Sequence, residues 1–126
     1  MKLLLDTHVL VWTLLGHERL SATASVAIQD SANEVFVSVV SAWEVEIKAA
    51  KGKLSMLGPL GDALARQRFG SLPVTLRHVL AVESLPRHHR DPFDRMLIVQ
   101  ALLEGMTLVS SDRKMRDYPI ALLPAS

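Results

Sequence analysis

The segment His88-His89-Arg90-Asp91-Pro92-Phe93-Asp94-Arg95-Met96-Leu97-Ile98 gathers two carboxylates, two imidazoles and two guanidiniums at the start of an apolar helix. Asp94 falls in the first turn, in line with Leu97, Ile98 and Ala101, which read as a buried stripe. A carboxylate on a buried face is costly unless a cation or hydrogen-bond donors meet it. Three further acids stand where a fold could bring them to Asp94. Asp6 ends a first apolar run, Asp112 follows a late one, and Glu44 lies near the start of a helical segment. At about 4 Å and an effective dielectric of about 20, each like-charge pair would cost roughly 4 kcal/mol. Four such groups in one cleft call for a divalent cation or for raised pKa values. Oxygen-only donors suit Mg²⁺ or Mn²⁺. A cation of that kind can activate water and neutralise a phosphoryl group during in-line displacement.

Each acid also has an ordinary structural account. Asp6 can cap a helix starting at Thr7. Glu44 has Lys48 four residues on, the spacing of a helical ion pair. Asp94 can rest on its own helix N-terminus or pair with Arg90 or Arg95. Asp112 can cap a turn over 113–116. The combination, not any one residue, carries the metal reading. Thr7 and Ser110 could hold a water or a phosphate oxygen beside such a site, although hydroxyls at strand ends are commonplace.

The elements that would position these groups alternate along the chain. Lys2 to Asp6 reads as a buried strand; its Met-Lys-Leu-Leu-Leu opening resembles a secretory leader, but Asp6 interrupts it. A helix follows to Gly16, then one over 22–32 capped by Ser21, a strand over 35–39, and a helix over 41–51 with Trp43, Ile47 and Ala50 as its apolar stripe. Gly58-Pro59 opens a helix to Phe69, stopped by Gly70. Leu72-Pro73-Val74 is a brief strand, and Thr75 caps a helix to Ser84. Pro92 to Glu104 is a helix with Pro at its first position and Gly105 at its stop. Strands over 106–109 and 120–123 flank a short helix or turn at 112–116. This alternation predicts an α/β fold over 1–126, a single-domain three-layer α/β/α sandwich with a mostly parallel sheet. In such sheets ligands bind beyond the carboxyl ends of the strands, where Asp6 and Asp112 fall.

The totals agree with a globular domain. The 126 residues are 49% hydrophobic and 21% charged, with a net charge of +1. No apolar run approaches a membrane span. The absence of cysteine excludes disulfides and thiolate metal sites and fits a reducing cytoplasm. From Lys48 to Arg95 there are nine Lys/Arg against four Asp/Glu, which suits a polyanionic ligand as well as it suits solvated helix faces.

Four blocks then make the sequence recognisable: Leu4-Leu5-Asp6-Thr7-His8; Ser41-Ala42-Trp43-Glu44-Val45-Glu46-Ile47-Lys48 with Gly52-Lys53-Leu54; His89-Arg90-Asp91-Pro92-Phe93-Asp94-Arg95; and Leu108-Val109-Ser110-Ser111-Asp112. In that order and spacing they resemble the PIN-domain family, and within it the VapC-like ribonuclease toxins of prokaryotic toxin–antitoxin pairs. The resemblance covers about residues 2–123. It implies a Rossmann-like sandwich and an endoribonuclease that cleaves RNA with metal-activated water. It also implies a cognate antitoxin and a homodimer. By position Asp6, Glu44, Asp94 and Asp112 match the family's acidic quartet, with Mg²⁺ or Mn²⁺ as cofactor. Asp91 matches an additional acid often seen before the third one, here a helix cap or a supporting group, and Ser110 matches a frequent hydroxyl position. Whether Asp117 contributes stays open.

The remaining polar residues are assigned by context. Zinc at His88-His89 is disfavoured, because adjacent side chains diverge and no cysteine completes a tetrahedral set. His89 and Arg90 are placed on the substrate, with Arg87 and Arg113 as further phosphate contacts and Arg95 as a structural residue. His8 borders Asp6 or is a satisfied structural residue; His17 and His78 have no chemistry-bearing neighbours. Trp12 and Trp43 read as core or dimer interface, and the usual basic-aromatic pattern of single-strand binders is missing. Two alternatives remain. One is a PIN-like module that binds RNA or protein without cutting. The other is a receiver-type phosphoacceptor, which would need an acid pair after the first strand and a Lys after a late one; here Thr7 follows Asp6, and Lys114 falls in a turn.

Overall fold

The computed structural model describes residues 1–16 and 18–126; His17 lies outside the described residues. The strands are β1 (Lys2–Leu5), β2 (Glu34–Ser38), β3 (Gly70–Leu72), β4 (Thr107–Ser110) and β5 (Leu122–Pro124). The helices are α1 (Thr7–Leu15), α2 (Ala22–Gln29), α3 (Val39–Ala50), α4 (Leu60–Ala65), α5 (Leu76–Val82) and α6 (Pro92–Glu104), with a 3₁₀ turn at Arg113–Asp117.

β1 is apolar on both faces because it is the middle strand of a covered sheet. Leu3 and Leu5 pack with Val9, Leu10, Ala24 and Val45 on one side. Leu4 packs with Leu97, Ile98, Leu108 and Met115 on the other. A continuous apolar run is what a parallel strand buried on both faces requires. The order is β3-β2-β1-β4-β5, and every neighbouring pair is parallel. The chain winds outward from β1 through β2 to β3, then returns to the other side of β1 for β4 and β5. The two windings part between β1 and β4, the place where parallel sheets of this kind bind ligands beyond the carboxyl ends of their strands.

Local chemistry sets the ends of α1 and α6, which carry or follow candidate acids. Asp6 caps α1 by accepting the Val9 amide at 2.8 Å, and Gly16 closes it at φ 66°. Asp91 caps α6 by accepting the Phe93 amide at 2.8 Å, Pro92 supplies the preset first residue, and Gly105 closes the helix at φ 64°.

Several sequence expectations shift. Gly70 does not stop a helix; α4 ends at Ala65, and Gly70 opens β3. It pairs with Phe36, and a Cβ there would lie 2.8 Å from the Phe36 ring, so the strand needs glycine for close approach. Pro73, expected within a strand, lies just beyond β3, consistent with its missing amide hydrogen. α2 stops at Gln29 because Asp30 turns the chain by accepting the Ala32 amide. In α3 the expected stripe is wrong. Trp43 is 62% exposed and Ala50 is exposed, whereas Ser41, Glu44 and Val45 are buried. Trp43 is therefore not a core residue; it packs edge-on against Phe93 at 5.6 Å between ring centres. The face that α3 turns inward is chosen by Glu44 and its partners, not by the largest apolar side chain. Trp12 is half-buried and stacks on His8.

Candidate metal centre

Asp6 leaves the carboxyl end of β1 and is 4% exposed. Its Oδ1 serves the α1 cap, and the Ser110 hydroxyl hydrogen-bonds the same carboxyl group. Burial raises its pKa; the Ser110 and Val9 hydrogen bonds and His8 pull it down, and the Asp112 charge pushes it up again, leaving a net rise. Ser110, at the end of β4, also accepts the Asp112 amide at 3.0 Å, so one hydroxyl ties the two strand-end acids together.

Glu44 is 7% exposed and is held at both oxygens. Thr7 donates its hydroxyl to Oε1 at 2.6 Å, and Lys48 Nζ lies 2.9 Å from Oε2. The ordinary helical ion pair is thus present. It orients a buried carboxylate, because the carboxyl end of the pair faces inward while Lys48 stands at the surface.

Asp94 lies on the first turn of α6 and is half-buried. Its pKa is raised to about 7, by burial first and then by the Asp91, Asp6 and Glu44 carboxylates, against the lowering effect of His89. Asp94 therefore faces the other acids and pays electrostatically for their company. Asp112 follows β4 and caps the 3₁₀ turn by accepting the Lys114 amide at 2.9 Å. Partial burial would raise its pKa, but hydrogen bonds from His89 and the Lys114 amide, with the charges of both side chains, bring it below the usual value.

His89 joins this group. It is 9% exposed, and its Nε2 lies 2.6 Å from Asp112 Oδ2 and 3.6 Å from Asp94 Oδ2. One ligand atom from each of His89, Asp94 and Asp112 lies within 4.8 Å of the other two. Asp91 spends Oδ1 on the Phe93 and Asp94 amides and acts as the helix cap. Asp117 is exposed at the end of the 3₁₀ turn. A cavity of about 850 Å³ lies at the opposite edge of the sheet, between α1, α2, the start of β2 and residues 66–70, and contains none of these acids.

The model of the PIN domain matches residues 3–121. The chain belongs to the PIN-domain family. It is 30% identical to Ribonuclease VapC22 of Mycobacterium tuberculosis (strain ATCC 25618 / H37Rv) over 118 residues, which cover 91% of this chain and 90% of the relative. Its fold is similar to a chain in the crystal structure of VapBC2 from Rickettsia felis bound to a promoter DNA fragment, with a TM-score of 0.75, 16% identity and all of both chains covered. It is also similar to a chain of DNA-bound VapBC from Salmonella typhimurium, with a TM-score of 0.69, 18% identity and 98% of each chain covered.

In this PIN domain the basic residues separate by role. Arg95 is 5% exposed and donates to the carbonyls of Val82, Leu85, Pro86 and His89. It is a structural brace, as its place beside Asp94 suggested. Arg87 lies 3.7 Å from Glu83 on the surface, and Arg90 and Arg113 are exposed. His88 turns outward onto Tyr118, at 5.1 Å between ring centres. His89, expected against the substrate, instead turns inward onto Asp112 and Asp94, and no local pattern in the sequence announces those two contacts. The Thr7 hydroxyl, expected against water or a phosphate oxygen, donates its hydrogen to Glu44.

Proposed function

We propose that this PIN domain is a divalent-metal-dependent endoribonuclease and the toxin of a toxin–antitoxin pair. The observation that carries the reading is the convergence of Asp94 and Asp112 with His89, one ligand atom of each within 4.8 Å of the other two, in a chain 30% identical to Ribonuclease VapC22; burial and the neighbouring acids raise the Asp94 pKa to about 7. A site that gathers charge of one sign at such cost is fitted for a cation.

The donor set fits the group. Asp94 and Asp112, with Asp6 and Glu44 alongside, would hold Mg²⁺ or Mn²⁺ through oxygen. When bound, the cation supplies charge neutralisation at a phosphodiester and lowers the pKa of water for attack. The chain's own residues do the positioning. Thr7 and Lys48 fix the two Glu44 oxygens, Ser110 links Asp6 to the Asp112 backbone, and the Asp91 cap orders the first turn of α6. Preorganisation of this kind spares the carboxylates from rearranging as charge develops on the phosphoryl group.

Exposed Arg90 and Arg113 are available for RNA phosphates near this edge. The similarity to Ribonuclease VapC22 and to chains solved in VapBC complexes supports an RNA substrate and a cognate antitoxin, and the reading includes a homodimer acting in the cytoplasm. Among the described residues no helix is long and apolar enough to cross a membrane.

The test uses the purified chain and a panel of structured RNAs with single-stranded loops. Internal cleavage is expected with Mg²⁺ or Mn²⁺, loss of cleavage in EDTA, and background cleavage by a folded Asp94→Asn variant. Undiminished cutting in EDTA or by that variant would overturn the mechanism. Metal binding without cutting any RNA would favour the binding module.

A further inference from the structure

The acids alone describe an oxygen-only site, and the fold adds a nitrogen to it. His89 Nε2 stands between Asp112 Oδ2 at 2.6 Å and Asp94 Oδ2 at 3.6 Å. Donors bonded at about 2.1 Å on opposite sides of one ion would be about 4.2 Å apart. The three ligand atoms here lie within 4.8 Å of one another, so small side-chain movements would close them on a single cation.

The backbone that carries the ring is also braced. The His89 carbonyl accepts from Arg95 Nη1 at 3.3 Å, and the same guanidinium holds the carbonyls of Val82, Leu85 and Pro86. His89 is buried in the segment just before α6, unlike His88 beside it, which is exposed. A purely structural His–Asp tie would need one carboxylate. Here one nitrogen faces two, from different elements, and both are acids already assigned to the cation.

We infer that His89 Nε2 is itself a ligand of the cation, giving one imidazole nitrogen among carboxylate oxygens, and that this donor set favours Mn²⁺ over Mg²⁺. The inference rests on the metal-dependent reading above. Mg²⁺ is a hard ion that keeps oxygen ligands and several waters, whereas first-row transition ions take imidazole readily. On binding, the ring would present its lone pair to the ion, and the His89–Asp112 hydrogen bond would be replaced by coordination of both groups.

The experiment loads the full chain with Mn²⁺ and records pulsed electron paramagnetic resonance for coupling to nitrogen. Wild-type protein should show imidazole ¹⁴N coupling, which changes to the ¹⁵N pattern when histidine alone is isotopically labelled. His89→Gln keeps a polar side chain able to hydrogen-bond Asp112. It should lose the coupling and at least the roughly 10–100-fold in Mn²⁺ affinity that removal of an outer-shell partner costs, with a smaller loss for Mg²⁺. The labelled wild-type protein shows by itself whether a histidine is a ligand, and His89→Gln assigns that ligand to His89 and not to His8 beside Asp6. Bound Mn²⁺ without histidine coupling, or coupling that survives in His89→Gln, would overturn the ligand assignment and leave the nuclease reading standing. Failure of wild-type protein to bind Mn²⁺ or Mg²⁺ at all would overturn both.

Discussion

The role proposed for Asp94 sets function against stability in a single side chain. Its folded-state pKa, about 7, lies above the ordinary 3.8. A raised pKa means that the folded state holds the proton more tightly than the unfolded chain. The stabilisation from this group is therefore complete below about 3.8 and lost as pH rises through about 7. The raised pKa of buried Asp6 has the same sign. The lowered pKa of Asp112 has the opposite sign, but its window lies below 3.8. Metal-free protein in EDTA should lose stability between pH 5 and pH 8, measured by urea unfolding. Asp94→Asn should flatten that loss and be more stable than wild type at pH 8, while binding Mn²⁺ far more weakly. Equal pH slopes for the two proteins would show that Asp94 is not the strained group. Residue types made this acid legible: a carboxylate on an apolar helical stripe needs a reason, and its type and position can be read directly. The Thr7–Glu44 contact spans 37 residues, and no local pattern announces it.

Among the elements, α6 was read to the residue because every boundary signal is local: Asp91 at the cap, Pro92 at the first position, Gly105 at the stop. α3 was misread because its buried face is set by distant partners of Glu44, while the apolar side chain that dominates its pattern, Trp43, points outward. β3 was displaced because Gly70 serves a close cross-strand contact in place of the helix stop that glycine usually signals. Arg95 joins α6 to the polar segment preceding it. A single planar guanidinium satisfies four carbonyls between residues 82 and 89, a geometry that an ammonium cannot reproduce. Arg95→Ala should cost roughly 3 kcal/mol or more in urea unfolding, since the buried carbonyls lose a charged donor. Mn²⁺ affinity should fall with it, because the segment that carries His89 loses its brace. Unchanged stability would mean that the segment holds its place by packing alone.

At the scale of the molecule, the alternation of strands and helices implied a mostly parallel sheet, and the carboxyl-end rule placed Asp6 and Asp112 on one edge before any contact was known. The order of strands was not legible, because it depends on which faces pack together once all the helices are in place. That order makes the site a property of the whole chain. Asp6 follows β1, Glu44 rides on α3, Asp94 on α6, and Asp112 follows β4, so no contiguous segment carries all four acids of the proposed donor set. A cation bound there has no equivalent site in the unfolded chain, and its binding energy must appear as global stability. At a free Mn²⁺ concentration about 100-fold above the dissociation constant, the gain is about 2.7 kcal/mol. For a domain of this size that corresponds to a rise in Tm on the order of 10 °C. The rise should be absent in Asp94→Asn and should grow with the logarithm of Mn²⁺ concentration above saturation. Thermal melts at increasing Mn²⁺ measure it. An equal shift in Asp94→Asn would place the stabilising ion somewhere other than the acids beyond the carboxyl ends of β1 and β4.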